Sequence, residues 1–364
     1  MIRKLIDKYR GLSAPVKAAA WFTVCNVLQR GISFLTVPLF TRLLTKAQYG
    51  EFTVYQSWYS IIVILLTLQL AAGVYTKGLQ KFEHDQDAFT SSLIGLYVLN
   101  VLFWSGVYLL LHFLPWDAFG SVRGSSALQW AEPALSAVRR FFSYLTELKP
   151  IYIYAILFEC FFAPAVTFWS ARQRFQYKYR AVIAVTLGIA LLSPLIALFA
   201  VTHTEEFKAE ARVLSFVGVQ VLFGLALMIY QLVKGKKLFV KRYWGYALKF
   251  NLPLIPHYLS QVLLTQADKI MIDMLVGKAE AAVYGVAYNL SLLMNIVTTA
   301  INYSYVPFSY QELKSGKTEK LNRVCTGILL LVAAAVALVA AFGPELTRIM
   351  GGEEYFEARW VIPP

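Results

Sequence analysis

Nine runs of about twenty or more predominantly apolar residues, parted by short and mostly basic links, leave this chain few ways to fold. They fall at roughly 16–41, 51–75, 91–115, 150–170, 181–203, 213–233, 247–276, 283–310 and 322–345. At a rise of about 1.5 Å per residue, a helix of that length crosses ~30 Å of hydrocarbon. Backbone inside lipid has to satisfy its own N–H and C=O groups, so only helices and closed barrels span. Barrel strands alternate lipid-facing and lumen-facing residues over about ten positions, and these runs are continuously apolar, which excludes a barrel. Charged residues make up 15% of the chain and hydrophobic ones 58%. Soluble domains carry about 25% charged residues, and one globule does not hide this much apolar surface. The expected fold is an all-α polytopic membrane protein.

The net charge of +13 is spread over the links between runs. Alternate links at 1–17, 76–90, 171–180, 234–249 and 312–323 hold 21 Lys and Arg, and the other set holds 11. By the positive-inside rule the richer set, with the N-terminus, faces the cytoplasm. The basic excess therefore reads as orientation and contact with anionic headgroups, and no nucleic acid partner is expected. The residues before the first run are basic and polar, and the run is too long for a signal-peptide core, so no cleaved leader is expected. Cys25, Cys160 and Cys325 fall inside apolar runs without metal-like spacing and read as buried fillers. The four histidines, His84, His112, His203 and His257, are scattered, which argues against a metal centre. No cofactor is assigned. The longest link, 116–150, contains Ala127–Leu148, whose mixed apolar and basic pattern fits an interfacial helix or an ordinary loop.

Two residues stand against the apolar background. Arg30 lies near the middle of the first run, and Lys269 lies in the seventh. A cation at bilayer depth costs about 2.5–3.5 kcal/mol on insertion scales, so Arg30 is expected to face a protein interior or a water-filled cavity. A faint internal repeat connects the same two runs. Leu44-Thr-Lys-Ala-Gln-Tyr-Gly50 follows the first, and Val276-Gly-Lys-Ala-Glu-Ala-Ala-Val-Tyr-Gly285 follows the seventh. Each carries Lys-Ala and then Tyr-Gly at a helix start. The even number of helices between the copies implies parallel halves related about the membrane normal, with cargo bound between them.

Three blocks carry a further likeness. They are Gln29-Arg30 through Val37-Pro38-Leu-Phe-Thr-Arg42 to Tyr49-Gly50-Glu-Phe; Lys249-Phe-Asn-Leu-Pro253-Leu-Ile-Pro256-His257 with Ala267-Asp268-Lys269-Ile-Met-Ile-Asp273 and Val283-Tyr284-Gly285-Val-Ala-Tyr288; and Gly343-Pro-Glu-Leu through Gly352-Glu-Glu-Tyr355-Phe-Glu-Ala358. In these the chain resembles the Wzx-type oligosaccharide flippases of the multidrug/oligosaccharidyl-lipid/polysaccharide exporter superfamily. The resemblance implies a MATE-like bundle of two lobes forming a V, with 1–240 as the first lobe and 241–364 as part of the second. Members usually have more helices than the nine expected here, so the second lobe is expected to be incomplete, from a fragment or a truncated product. The function implied is outward flipping of a polyprenyl-pyrophosphate-linked oligosaccharide for surface polysaccharide synthesis. The partners implied are that lipid-linked oligosaccharide, membrane lipids and other polysaccharide-assembly proteins. The implied location is the inner (cytoplasmic) membrane.

Under that resemblance Arg30 meets the pyrophosphate, because a planar guanidinium matches phosphate oxygens two at a time. The bland alternative is a structural arginine paired to a carboxylate such as Glu159 or to helix-end carbonyls. Glu159, mid-span beside Cys160 and ahead of Pro164, reads as a cavity residue, a proton carrier or half of an ion pair. Asp268, Lys269 and Asp273 read as coupling or gate residues, against a self-neutralising pair of Lys269 and Asp273 four apart on one face. Asn26, Gln29, Gln56, Asn251, His257, Gln261 and Asn289 cluster in runs one, two, seven and eight. Such groups line sugar-binding cavities because they both donate and accept, though singly they also hold helices together. Pro38, Pro164, Pro194, Pro253, Pro256 and Pro307 are expected to kink or end helices.

The protein is read as a transporter and not an enzyme, and the rival classes differ in what they require. A multidrug extruder of the same superfamily wants an acidic, aromatic cavity, whereas Arg30 suits an anionic cargo. A membrane polysaccharide polymerase wants a large arginine-bearing outer loop, of which Arg123, Arg139 and Arg140 are a modest version. A glycosyltransferase wants a carboxylate motif in an outer loop. His84-Asp85-Gln86-Asp87 has the spacing but sits in a short link of the basic set, where it reads as solvated charge. No Gly-Lys-Ser/Thr phosphate loop is present, so the expected driving force is an ion gradient or downstream polymerisation.

Overall fold

The computed structural model describes residues 14–113, 149–314 and 318–361. The region 127–148, expected to be an interfacial helix or a loop, lies outside the described residues. Among the described residues the chain is helical, with no strand. In order the helices are α1 (Ala14–Leu43), α2 (Lys46–Thr67), α3 (Gly73–Lys81), α4 (Gln86–Phe113), α5 (Pro150–Phe162), α6 (Pro164–Phe175), α7 (Tyr179–Thr202), α8 (Lys208–Gly235), α9 (Lys241–Asn251), α10 (Ile255–Leu275), α11 (Lys278–Lys314), α12 (Thr318–Ala341) and α13 (Gly343–Gly351). Short 3₁₀ segments at Glu83–Asp85, Leu252–Leu254 and Glu353–Trp360 complete the order.

Among the described residues five stretches are long and apolar enough to cross a membrane: Glu83–Leu110, Pro150–Phe175, Tyr179–Thr202, Lys208–Gly235 and Leu321–Ala341. Helices α1, α2, α10 and α11 stand where the other four spans are expected, but they carry more polar groups and fall short of that measure. Proline explains two of the breaks. Pro164 separates α5 from α6, opening the second helix where its missing N–H is not needed. Pro253 lies in the 3₁₀ turn between α9 and α10, and Pro256 lies in the first turn of α10. The expected seventh span is therefore two elements, an amphipathic α9 and the longer α10. The expected second span also stops early. Helix α2 ends at Thr67, and Leu68 and Gln69 take positive φ of 52° and 47°. The Asn100 amide holds that end, donating to the carbonyls of Leu65 and Leu66 at 2.8 Å each, and the Asn251 amide donates to the Leu68 carbonyl.

Contacts divide the chain into two units, each discontinuous in sequence. Unit 1 holds residues 1–22, 58–200 and 210–266. Its core is aromatic: Tyr75 meets Phe168 edge-on at 4.9 Å, Tyr97 stacks on Phe168 at 5.8 Å, and all three are buried. Helix α8 joins this core closely because Gly224 has no side chain. A Cβ there would lie 2.5 Å from the Phe162 carbonyl oxygen, at the end of α5.

Unit 2 holds residues 23–57, 201–209 and 267–364. It brings the end of α1 and the start of α2 onto the start of α11 and onto α13 with its following 3₁₀ turn. Tyr355 is fully buried there, edge-on to Tyr49 at 6.0 Å. The Thr41 hydroxyl donates to the Met350 carbonyl at 2.6 Å. A cleft of about 660 Å³ lies beside this contact, lined by Thr41–Thr45 and Gly351–Glu354.

Candidate functional site: Arg30 and the paired helix starts

Helix α1 runs unbroken past Arg30. The guanidinium is exposed, and among the described residues it has no ion pair or hydrogen bond. Spacing of three and four places Asn26, Gln29, Arg30 and Ser33 on one face, with Asn26 and Ser33 exposed and Gln29 half-buried. Ser33 donates to the Gln29 carbonyl at 3.0 Å, which engages its hydroxyl proton within the helix. The result is a narrow polar face led by one cation, on a helix whose other exposed positions include Val27, Leu28 and Leu35.

The repeat motifs meet inside unit 2. Gly50 packs so closely on the start of α11 that a Cβ would lie 1.9 Å from the Lys278 carbonyl oxygen. Gly285 packs back on α2, where a Cβ would lie 2.8 Å from Thr53 Cγ2. The two Tyr-Gly pairs thus mark one helix crossing, each supplying the glycine that lets the other helix approach. Charge follows the same line. Lys278 Nζ stands 3.3 Å from Glu51 Oε1, and the Tyr284 hydroxyl donates to Asp268 Oδ2 at 2.8 Å. Lys269 Nζ lies 3.7 Å from the centroid of the Tyr288 ring. Asp268 and Lys269, adjacent on α10, therefore grip two tyrosines one turn apart on α11. Asp273 is half-buried.

The remaining candidates divide between packing and exposure. Glu159 is 1% exposed and accepts a hydrogen bond from Tyr59. Asn251 is buried against the turn at Leu68. His257 and Gln261, one turn apart on α10, are exposed, as is Gln56 on α2, and Asn289 on α11 is half-buried. Cys25 and Cys160 are buried, as expected of fillers, whereas Cys325 is only half-buried and departs from that expectation.

One reading from sequence is corrected. Asp87, expected to be solvated charge, is held by Arg172 and stands 3.6 Å from Lys234. This carboxylate joins the ends of α4, α6 and α8, and the short link brings it in because Gln86 and Asp87 open α4 itself. Its neighbour Asp85 hydrogen-bonds Tyr243, whose phenol is pushed up from its ordinary pKa by burial first and by that carboxylate second. Sequence reasoning also missed Tyr59, Tyr284, Tyr288, Glu51 and Lys278 as partners. The Lys-Ala and Tyr-Gly repeat was the available signal for two of these five, Lys278 and Tyr284.

These features define a multi-pass, all-helical membrane protein with a polar stripe on its first helix and a tight crossing between its repeated helix starts. The sequence matches the family described as "Polysaccharide biosynthesis protein" over residues 16–311, and the chain belongs to that family. It is 23% identical over 346 residues to "Lsg locus putative protein 1" of Haemophilus influenzae, covering 93% of this chain and 77% of that protein. It is likewise 23% identical over 339 residues to an "Uncharacterized membrane protein" of the same organism, covering 91% and 74%. No solved structure matches the chain.

Proposed function

We propose that the protein carries a polyprenyl-pyrophosphate-linked oligosaccharide from the cytoplasmic to the outer leaflet of the inner membrane. The chain acts without bond-making chemistry of its own, and its N-terminus lies in the cytoplasm. One observation carries the reading: an exposed arginine without a partner among the described residues, halfway along a hydrophobic helix, in a chain of the polysaccharide biosynthesis family. An arginine in that position is costly unless an anion meets it, and a pyrophosphate is the anion that such a cargo presents. Asn26 and Gln29 would offer hydrogen bonds beside it, and Gln56 and Asn289 of the same unit would meet sugar hydroxyls. All nine expected runs cross the membrane in this reading, and the lipid tail stays in the bilayer while the headgroup moves.

Alternating access needs an outer closure, and the crossing of α2 with α11 supplies a candidate. Glu51–Lys278 and the two glycine contacts would part when the outer side opens, while Asp268 and Lys269 hold α10 to α11. Glu159, buried beside Tyr59, is the candidate proton carrier. In cells that depend on the polymer, Arg30→Ala in the full-length protein should abolish surface polysaccharide at normal protein level. Arg30→Lys should fail too if the planar fork is what binds. Normal polymer from the alanine variant would sink the reading.

A further inference from the structure

Three cations at one end of unit 1 are laid in a row over aromatic rings. Lys77 and Lys81, one turn apart on α3, sit over Phe250 and Tyr246, one turn apart on α9, with Nζ-to-centroid distances of 4.7 and 4.4 Å. Arg242 lies over Phe82 at 5.2 Å. These rings belong to a cluster, since Phe82 meets Tyr243 at 4.8 Å and Tyr246 at 5.5 Å. Cation–π contact fixes side chains that would otherwise wander, and it leaves the outward half of each cation free to bind. Lys241 and Lys249 add two exposed cations on α9. The opposing charges nearby are Glu83 and Asp85, and Asp85 is engaged by Tyr243.

The depth of this surface is marked by its neighbours. Leu238 and Phe239 are exposed just before α9, and Phe239 meets Trp244 edge-on at 4.6 Å. The Trp244 indole N–H donates to the Ser92 carbonyl at 2.8 Å, which fixes that ring. Exposed apolar residues, a tryptophan and a basic helix face together are the composition of a membrane interface. We propose that the α3–α9 face is a binding site for the phosphate of an acidic phospholipid, with Lys77, Lys81 and Arg242 as its ligands. The proposal stands on membrane embedding alone and does not depend on what the protein transports.

The test uses the purified full chain and native mass spectrometry, counting phosphatidylglycerol retained against phosphatidylcholine. Each juxtamembrane cation contributes about 1 kcal/mol, which is roughly fivefold in affinity. Lys81→Gln and Arg242→Gln should each weaken phosphatidylglycerol retention about fivefold. The triple variant with Lys77→Gln added should weaken it about a hundredfold. Lys178→Gln, Arg180→Gln and Lys236→Gln together remove as much charge elsewhere and should weaken retention far less than the triple variant does. Equal loss in that control set would reduce the site to general positive charge and overturn the proposal. Unchanged retention in the single variants would overturn it as well. Farnesyl diphosphate, added as a competitor, should not displace phosphatidylglycerol at equal concentration. Preferential displacement would assign the face to an isoprenyl diphosphate and refute the phospholipid assignment.

Discussion

Replacing Asp87 with alanine should destabilise unit 1 by about 3 kcal/mol, and the size follows from the exposure of its two partners. The Arg172 side chain is 11% exposed, the Asp87 side chain 37% and the Lys234 side chain 48%. At the 3.6 Å between Lys234 and Asp87, two unit charges attract by ~1 kcal/mol in water and ~4–5 kcal/mol at an effective dielectric of 20. The half-exposed lysine sits near the lower limit, and exposed pairs net about 0–1 kcal/mol. Arg172 differs, because losing its carboxylate strands a cation in a mostly buried place, at about 3–5 kcal/mol when burial is complete. The partial exposure of Asp87 lowers that range, while its place in the first turn of α4 restores ~0.5 kcal/mol through the helix dipole. Lys234→Ala should therefore cost under ~1 kcal/mol, and Asp87→Ala roughly three times as much. Denaturant titration of the full chain in micelles, followed by size-exclusion recovery, reads both values. The double variant Asp87→Leu with Arg172→Met should recover more than half of the loss, since an apolar replacement strands no charge. If Lys234→Ala costs as much as Asp87→Ala, or the double variant is worse than the single, burial is not what makes this cluster matter.

Other expectations come from the helix crossing of unit 2. Gly50→Ala should destabilise by about 1–2 kcal/mol, because overpacking against the Lys278 backbone costs ~1–3 kcal/mol and helix propensity returns at most ~1. Gly31→Ala on α1, where a Cβ meets nothing within 4 Å, should be neutral or stabilising, so thermal recovery should fall for Gly50→Ala and not for Gly31→Ala. In a cysteine-free background, Glu51→Cys with Lys278→Cys joined by a short bifunctional thiol reagent should stop polymer export. Export that continues with the link intact would show that this crossing does not open.

The helices were legible because apolar runs of spanning length leave lipid-exposed backbone one choice, and the breaks at Pro164 and Pro253 follow from a missing N–H. The early end of α2 was not legible. Nothing between Leu66 and Ala72 breaks a helix, and the turn is held by Asn100 and Asn251, distant in sequence. Asp87 was misread for a related reason, since a short charged link looks solvated until the helix end carrying Arg172 is known to lie against it. The repeat at Tyr49-Gly50 and Tyr284-Gly285 pointed to corresponding positions, but sequence could not tell that the two copies touch. The stripe of Asn26, Gln29 and Arg30 could be read as one helix face, whereas the grip of Asp268 and Lys269 on Tyr284 and Tyr288 needed coordinates.

Flipping as proposed depends most heavily on Arg30 meeting a diphosphate. The direct measurement is transbilayer movement of a fluorescent polyprenyl-pyrophosphate sugar in vesicles containing the full-length protein, with Arg30→Ala and Arg30→Lys compared at equal insertion. Movement is expected with the native arginine, with near-background rates for alanine and little or no recovery by lysine. Movement by the alanine variant at the native rate would contradict that dependence.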